Sequence, residues 1–514
     1  MTDGGVPGDD GRSGVWRREL GAPRWMHRAA TVWQCQAVCI FLALFVAWRW
    51  AAWRRRIGRR EIDRRGTART PYCVDDEEAS AGEAAEMDAE ATAGDGAGAE
   101  AATIGPPVAP MVTVVMPVKG VRAESLNNWR TQLVSGYRGA LEYVFVVEAK
   151  DDPAAAVVEQ LAAEQRAGRK PKRERGGTPN GIVRLVVAGS SKTCSQKIHS
   201  MLAGVGAASP ASEFVLFLDD DIRLHRNTVG ALVHSMKTHE PNMFLSNGFP
   251  FDLPPADGSF ANYLTMVYHM VLLVAFSHGE WTKNVWGGCM MLRIKDFRED
   301  THGVASKYRD GGYSDDLILA ALCDEHGRRV GCPHVALFPQ HMPASQSLVQ
   351  WWNYLRRQLF VMDTYVTFHN RLVNHGMLLA ISYLSVAAIS ALAFCALNLA
   401  WWGASAVSAA AAGERVVVFL PTREALSLGV VAAFALALSG ARAMYWRMGE
   451  LARRIGDEEA MEAVRVINWW RVAAAFVVNY ALVIFAVGVT LVKPTIDWAG
   501  IRYRKSGGKV VRIN

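Results

Sequence analysis

Phe214–Leu218 followed by Asp219-Asp220-Asp221 (FVLFLDDD) is the stretch whose reading decides the fold. Five apolar residues without alternation describe a strand covered on both faces. Three acids directly after it mark where that strand leaves the core. Working outward, Met111–Pro117 (MVTVVMP), Glu142–Val147 (EYVFVV) and Gly181–Val187 (GIVRLVV) read as further strands. Polar, Ala-rich segments of helical character separate them. Strands alternating with helices predict an α/β domain with a doubly wound, mostly parallel sheet. Such sheets bind ligands at the carboxyl ends of their strands, where the acids fall.

The chain has 514 residues, of which 51% are hydrophobic and 20% charged, with a net charge of +7. That balance suits a polar domain joined to membrane spans. Thr31–Trp53 is long enough to cross a bilayer and lacks a small-residue cleavage site, so it reads as a retained anchor. His375–Trp402, Ala425–Trp446 and Trp470–Leu491 are three more candidate spans. Phe260–Phe276 would separate the acids across the membrane if it spanned, so a surface or core helix is expected, with Tyr263 and Tyr268 near the headgroups. Arg54-Arg55-Arg56 and Arg59-Arg60 suit anchoring against anionic lipid. Arginines at 12, 17, 18, 24 and 28 compete, so the positive-inside rule only weakly places the following domain in the cytosol. No basic stripe argues for nucleic acid. Eight cysteines without a CxxC pair argue against a disulfide framework or zinc site and suit a reducing compartment. The organisation expected is a polar N-terminus (1–30), an anchor (31–53), a basic then acidic disordered linker (54–110), an α/β domain (111–370), C-terminal spans (375–492) and a basic tail (493–514).

Several residues carry candidate chemistry. In an extended backbone, Asp219 and Asp221 point the same way and Asp220 opposite. Two converging carboxylates invite Mg2+ or Mn2+, which would neutralise a departing diphosphate; a solvated turn is the plainer account. Glu148, Asp151 and Asp152 follow another strand and could accept hydrogen bonds from a base or ribose, or simply open a turn before Pro153. Asp315 and Asp316 precede an apolar helix. One can cap it and the other can serve as a general base, under a loop freed by Gly311-Gly312. Lys119 and Lys197 can reach a phosphate or lie at the surface. Arg356 and Arg357, in Trp351–Phe360 (WWNYLRRQLF), suit a diphosphate leaving group or membrane anchoring. His278 and Trp286 are candidates for an acceptor cavity.

The order of these motifs resembles the family 2 glycosyltransferases of GT-A fold, and more closely the ceramide glucosyltransferase family. The matching pieces are Met116–Val121 (MPVKGV), Glu148–Pro153 (EAKDDP), Leu218–Leu224 (LDDDIRL), Val285–Arg293 (VWGGCMMLR), Ser314–Leu317 (SDDL) and the tail Lys493–Gly508 (KPTIDWAGIRYRKSGG). The resemblance implies inverting transfer of glucose from UDP-glucose to ceramide at a Golgi or endoplasmic reticulum membrane. It places the three family aspartates on Asp152 (nucleotide), Asp219 (metal, with Asp221) and Asp316 (base), and it places the arginine of an Arg-Trp motif on Arg357. Tyr354 and Gln358 stand where the motif's flanking residues would, so Trp351 or Trp352 is expected to supply the missing aromatic contact. A polysaccharide synthase and an inactive scaffold of the same fold are the rival readings.

Overall fold

The computed structural model describes residues 24–65, 70–73, 108–122, 125–167, 181–412 and 422–513. The expected acidic tether lies outside them. Helix α1 (Arg24–Arg65) leads to the α/β domain. There β1 (Val112–Pro117), α2 (Ser125–Leu133), β2 (Leu141–Val147), α3 (Pro153–Arg166), β3 (Ile182–Val187), α4 (Gln196–Ala207), β4 (Phe214–Leu218) and α5 (Thr228–Thr238) alternate. They are followed by β5 (Met243–Asn247), β6 (Phe249–Leu253), α6 (Phe260–Leu272), β7 (Trp281–Thr282), β8 (Cys289–Arg293), α7 (Ile294–Arg298), α8 (Val304–Arg309), α9 (Asp315–Glu325), β9 (Arg329–Gly331), β10 (Leu337–His341) and α10 (Leu348–Val361). Helices α11 (Phe368–Ala411), α12 (Thr422–Arg454), α13 (Glu458–Val466) and α14 (Trp469–Val492) precede a closing meander, β11 (Thr495–Trp498), β12 (Ile501–Ser506) and β13 (Lys509–Arg512).

The main sheet runs β3-β2-β1-β4-β8-β5-β9-β7. Its first four strands are parallel, and β8 lies antiparallel between β4 and β5. The mixed α/β architecture with a mostly parallel sheet is therefore the one expected. Every residue of β1, β2 and β4 except Pro117 is buried, because helices cover both faces of the parallel half. One core fills each face: Trp129, Phe145 and Phe214 on one side, Ile198, Phe217 and Tyr308 on the other.

Among the described residues, four helices are long and apolar enough to cross a membrane: 30–62, 368–408, 425–454 and 469–492. The Phe260–Phe276 segment is instead a 13-residue helix, α6, in the layer between sheet and spans. The arginines after the first span do not simply face headgroups. Arg55 is buried, stacks over Phe249 and donates to the carbonyl of Phe276, and Arg54 donates to the carbonyl of His278. Gly58 lies so close to His334 that a Cβ would fall 2.6 Å from its ring. Helix α1 is thus keyed into the domain that follows it.

Candidate active site

Strand β4 ends at Leu218, and the next residues turn. The alternation argued for an extended chain therefore stops before the triplet. Asp219 faces Lys197, 2.8 Å from its Nζ. Asp220 and Asp221 face Arg122 instead, at 3.7 and 3.4 Å. Asp220 points away from Lys197, as expected, but it is not isolated. Arg122 links it to Asp221, and its backbone carbonyl accepts from Trp129.

Lys197 projects from the first turn of α4, which Ser195 caps. Its ammonium also meets Asp315, at 3.0 Å, and donates to the Gly287 carbonyl at 3.1 Å. Burial works to lower the Lys197 pKa, but Asp219 and Asp315 outweigh it and hold the amine charged. Burial pushes Asp315 up to about 6 despite Lys197, and Asp220 likewise to about 6 despite Arg122. Desolvation and then the neighbouring Asp219 charge also raise Asp221, although its carboxylate keeps 45% of its surface. Five carboxylates (219, 220, 221, 315, 316) thus share one floor with two balancing cations.

Ser314 and the two acids after it divide the work differently from the expectation. Asp315 does not cap α9; it is buried and carries the Lys197 pair. Asp316 folds back on the helix start, where one oxygen accepts from the Leu317 amide at 2.8 Å and from the Ser314 hydroxyl. Its other oxygen accepts from the Gly287 amide at 3.3 Å. Trp286-Gly287-Gly288 therefore threads between both acids. A Cβ on Gly287 would lie 3.1 Å from Asp315 and 3.3 Å from the Lys197 ammonium. Trp286 itself packs against Phe338 beside this loop.

At the end of β2, Asp152 caps α3 through the Ala154 amide (2.9 Å) and binds the Gly120 amide (2.8 Å). Gly120 sits at φ +67°, a conformation that favours glycine. Glu148 accepts from Lys119 (3.1 Å), Ser190 (2.9 Å) and Arg512 (2.6 Å). Burial alone would raise it, but these three donors hold its carboxyl below the usual range. Lys119 is thereby directed to Glu148.

On the membrane side, Arg357 lies between the rings of Tyr354 (5.5 Å) and Trp498 (4.9 Å). The aromatic partner comes from β11, not from Trp351 or Trp352, because five and six residues along α10 turn those two side chains to another face of the helix, roughly 120–140° away. Trp498 and Tyr503 also pack on Tyr313, just before the acids of α9. Arg356 donates to the Thr495 carbonyl at 3.4 Å. His278 is not brought to the acids; its ring packs on Trp50 of α1 at 4.8 Å. Sequence reasoning missed Arg122, Trp498 and Arg512, which lie far in sequence from the groups they serve.

Residues 96–457 match the profile described as Glycosyl transferase family 21. The chain belongs to glycosyl transferase family 21. This family 21 chain is similar in fold to several solved enzymes. One is the mannosyltransferase PcManGT from Pyrobaculum calidifontis, in complex with GDP-Man and Mn2+. The two are 15% identical, with 78% of this chain and 99% of that one covered and a TM-score of 0.38. Another is M. tuberculosis glucosyl-3-phosphoglycerate synthase in complex with Mg2+ and UDP. It is 13% identical, with 52% of this chain and 80% of that one covered and a TM-score of 0.31. No curated protein matches the chain.

Among the described residues, no three His, Cys, Asp or Glu side chains converge as a ready cage. Asp219 and half-exposed Asp221 are the residues that could supply the one or two protein acids Mg2+ or Mn2+ takes beside water and phosphate, each of them being paired here with a cation, Lys197 and Arg122 respectively.

Proposed function

We propose that this family 21 glycosyltransferase moves glucose from UDP-glucose to the primary hydroxyl of ceramide, with inversion at the anomeric carbon. The observation that carries the reading is the continuity of the acid floor with the membrane layer. Only Ser314 separates Tyr313 from Asp315 and Asp316, and Tyr313 packs on Phe360 of α10 and on Trp498. A water-soluble charged donor and a lipid alcohol need such a joint between a polar cleft and an apolar layer.

In this reading Asp152 and its turn border the nucleoside. Asp219 and Asp221 would hold Mg2+ or Mn2+, which when bound supplies positive charge to the diphosphate. Lys197 and Arg122 keep the surrounding carboxylates balanced. Asp316 takes the proton of the acceptor hydroxyl as that oxygen attacks the anomeric carbon and the bond to UDP breaks. It suits the role better than Asp315, whose charge is committed to Lys197. Arg357, whose guanidinium lies beside the rings of Tyr354 and Trp498, would steady the leaving diphosphate. The catalytic domain is assigned to the cytosolic face of a Golgi or endoplasmic reticulum membrane.

Purified protein in detergent, offered a panel of UDP-sugars and lipid acceptors, tests this directly. Turnover with UDP-glucose and ceramide alone is the expected result. Long polymer without lipid product would replace the reading by that of a polysaccharide synthase.

A further inference from the structure

Helix α14 has the length and hydropathy of a membrane span. At about 1.5 Å per residue its 24 residues extend roughly 36 Å, against a hydrocarbon core of about 30 Å. A spanning helix of that length must carry its two ends to opposite surfaces. Both ends of α14 are instead bonded to the same polar domain. At its start, Arg471 donates to the Gly258 carbonyl at 2.9 Å and stacks over Tyr263, and the Asn468 amide meets the Tyr263 hydroxyl. At its end, Lys505 reaches back to the Thr490 carbonyl at 2.7 Å and pairs with Asp363. The meander beyond is tied to the catalytic core by Arg512–Glu148 and by the Gln196 amide, which donates to Tyr503. Between its ends α14 is one continuous helix without proline, so it does not double back.

The helix before it fixes the starting side. Helix α13 is held to the domain by Glu459–Arg223 at 2.9 Å. Helices α11 and α12 therefore form an out-and-back pair. Helix α14 packs on α6 and α10 of the domain and also on α11 of the bundle. Phe476 packs on Phe41 of α1 and Phe434 of α12, so the helix is continuous with the apolar bundle. Trp470, Phe485, Leu491 and Val492 are exposed.

We propose that α14 does not cross the bilayer. Both of its ends stay on the side of the catalytic domain, and it dips into the bundle only as far as Phe476, which meets Phe41 and Phe434. Among the described residues the chain then crosses three times, by α1, α11 and α12, and its C-terminal sheet shares the compartment of the cleft. The idea concerns topology and stands or falls independently of the substrate.

Full-length protein in sealed membrane vesicles tests it. Lys150→Cys in the domain and Arg504→Cys in the meander are each probed with a membrane-impermeant maleimide, and Ala411→Cys serves as the opposite-side control. Labelling of positions 150 and 504 from the same side, with 411 reached only from the other, is expected. Labelling of 504 together with 411 would overturn the proposal. A second measurement does not depend on the tail's docking. Spin labels at 470, 485 and 492 should report one shallow depth. A gradient that passes through the bilayer centre and places 470 and 492 at opposite surfaces would also overturn it.

Discussion

The two walls of the cleft are built in opposite ways. The sheet-end wall gathers Asp152, Asp219 and Lys197 from strand ends and the first turns of helices, each placed by its immediate neighbours in sequence. The membrane-side wall gathers Arg357, Tyr313 and Trp498 from segments up to 185 residues apart (498 − 313). The first wall depends on local geometry, and the second on the whole chain having folded. Mutations should therefore act on the two walls with different signatures: charge on the first, docking on the second.

The largest effect is expected at Asp316. Asp316→Asn should lower kcat by about 10²–10⁴-fold with UDP binding retained. Asp315→Asn should act chiefly through Lys197, weakening donor binding. If Asp315→Asn abolished kcat while Asp316→Asn spared it, the roles of the two acids would be exchanged.

Lys197→Met comes next. It leaves Asp219 and Asp315 facing each other without their shared cation. Breaking one partner out of a buried pair costs about 3–5 kcal/mol, so a clear fall in Tm together with lost activity is expected. An unchanged Tm would mean that the acids do not depend on it.

On the other wall, Arg357→Lys keeps the charge but loses the flat fork between the rings. A drop of about 5–10-fold in kcat/KM fits a cation–π contribution of roughly 1 kcal/mol. Trp498→Ala should cost about the same, and the double variant little more. Full additivity would show that the stacking does not couple the two residues.

The smallest effect concerns pH. Glu148 is held below the ordinary glutamate value of 4.5 in the folded protein. Its contribution is therefore fully present above that value and fades as pH falls through the depressed folded one. Proteolytic release of the C-terminal residues should rise only in that acidic window. Glu148→Gln should flatten the response; an unaltered pH profile in that variant would remove Glu148 as its source.

The same contrast explains what could be read in advance. Strands β1, β2, β3 and β4 fall within one residue of their expected limits, because short, mostly apolar runs bounded by polar turns leave few alternatives. The acids at their ends were legible for the same reason. The orientation of the triplet was not, since a turn begins one residue earlier than an extended chain requires. The partner of Arg357 was invisible because nothing near residue 357 announces a tryptophan at 498. Arg55 looked like a headgroup anchor because sequence carries its charge but not the ring of Phe249 beneath it.

The closing meander also lets a remote strand act on the cleft. Arg512 of β13 supplies one of the three donors to Glu148, 364 residues away in sequence. A substitution in β13 therefore changes the charge balance at the end of β2 while leaving every sequence neighbour of Glu148 intact.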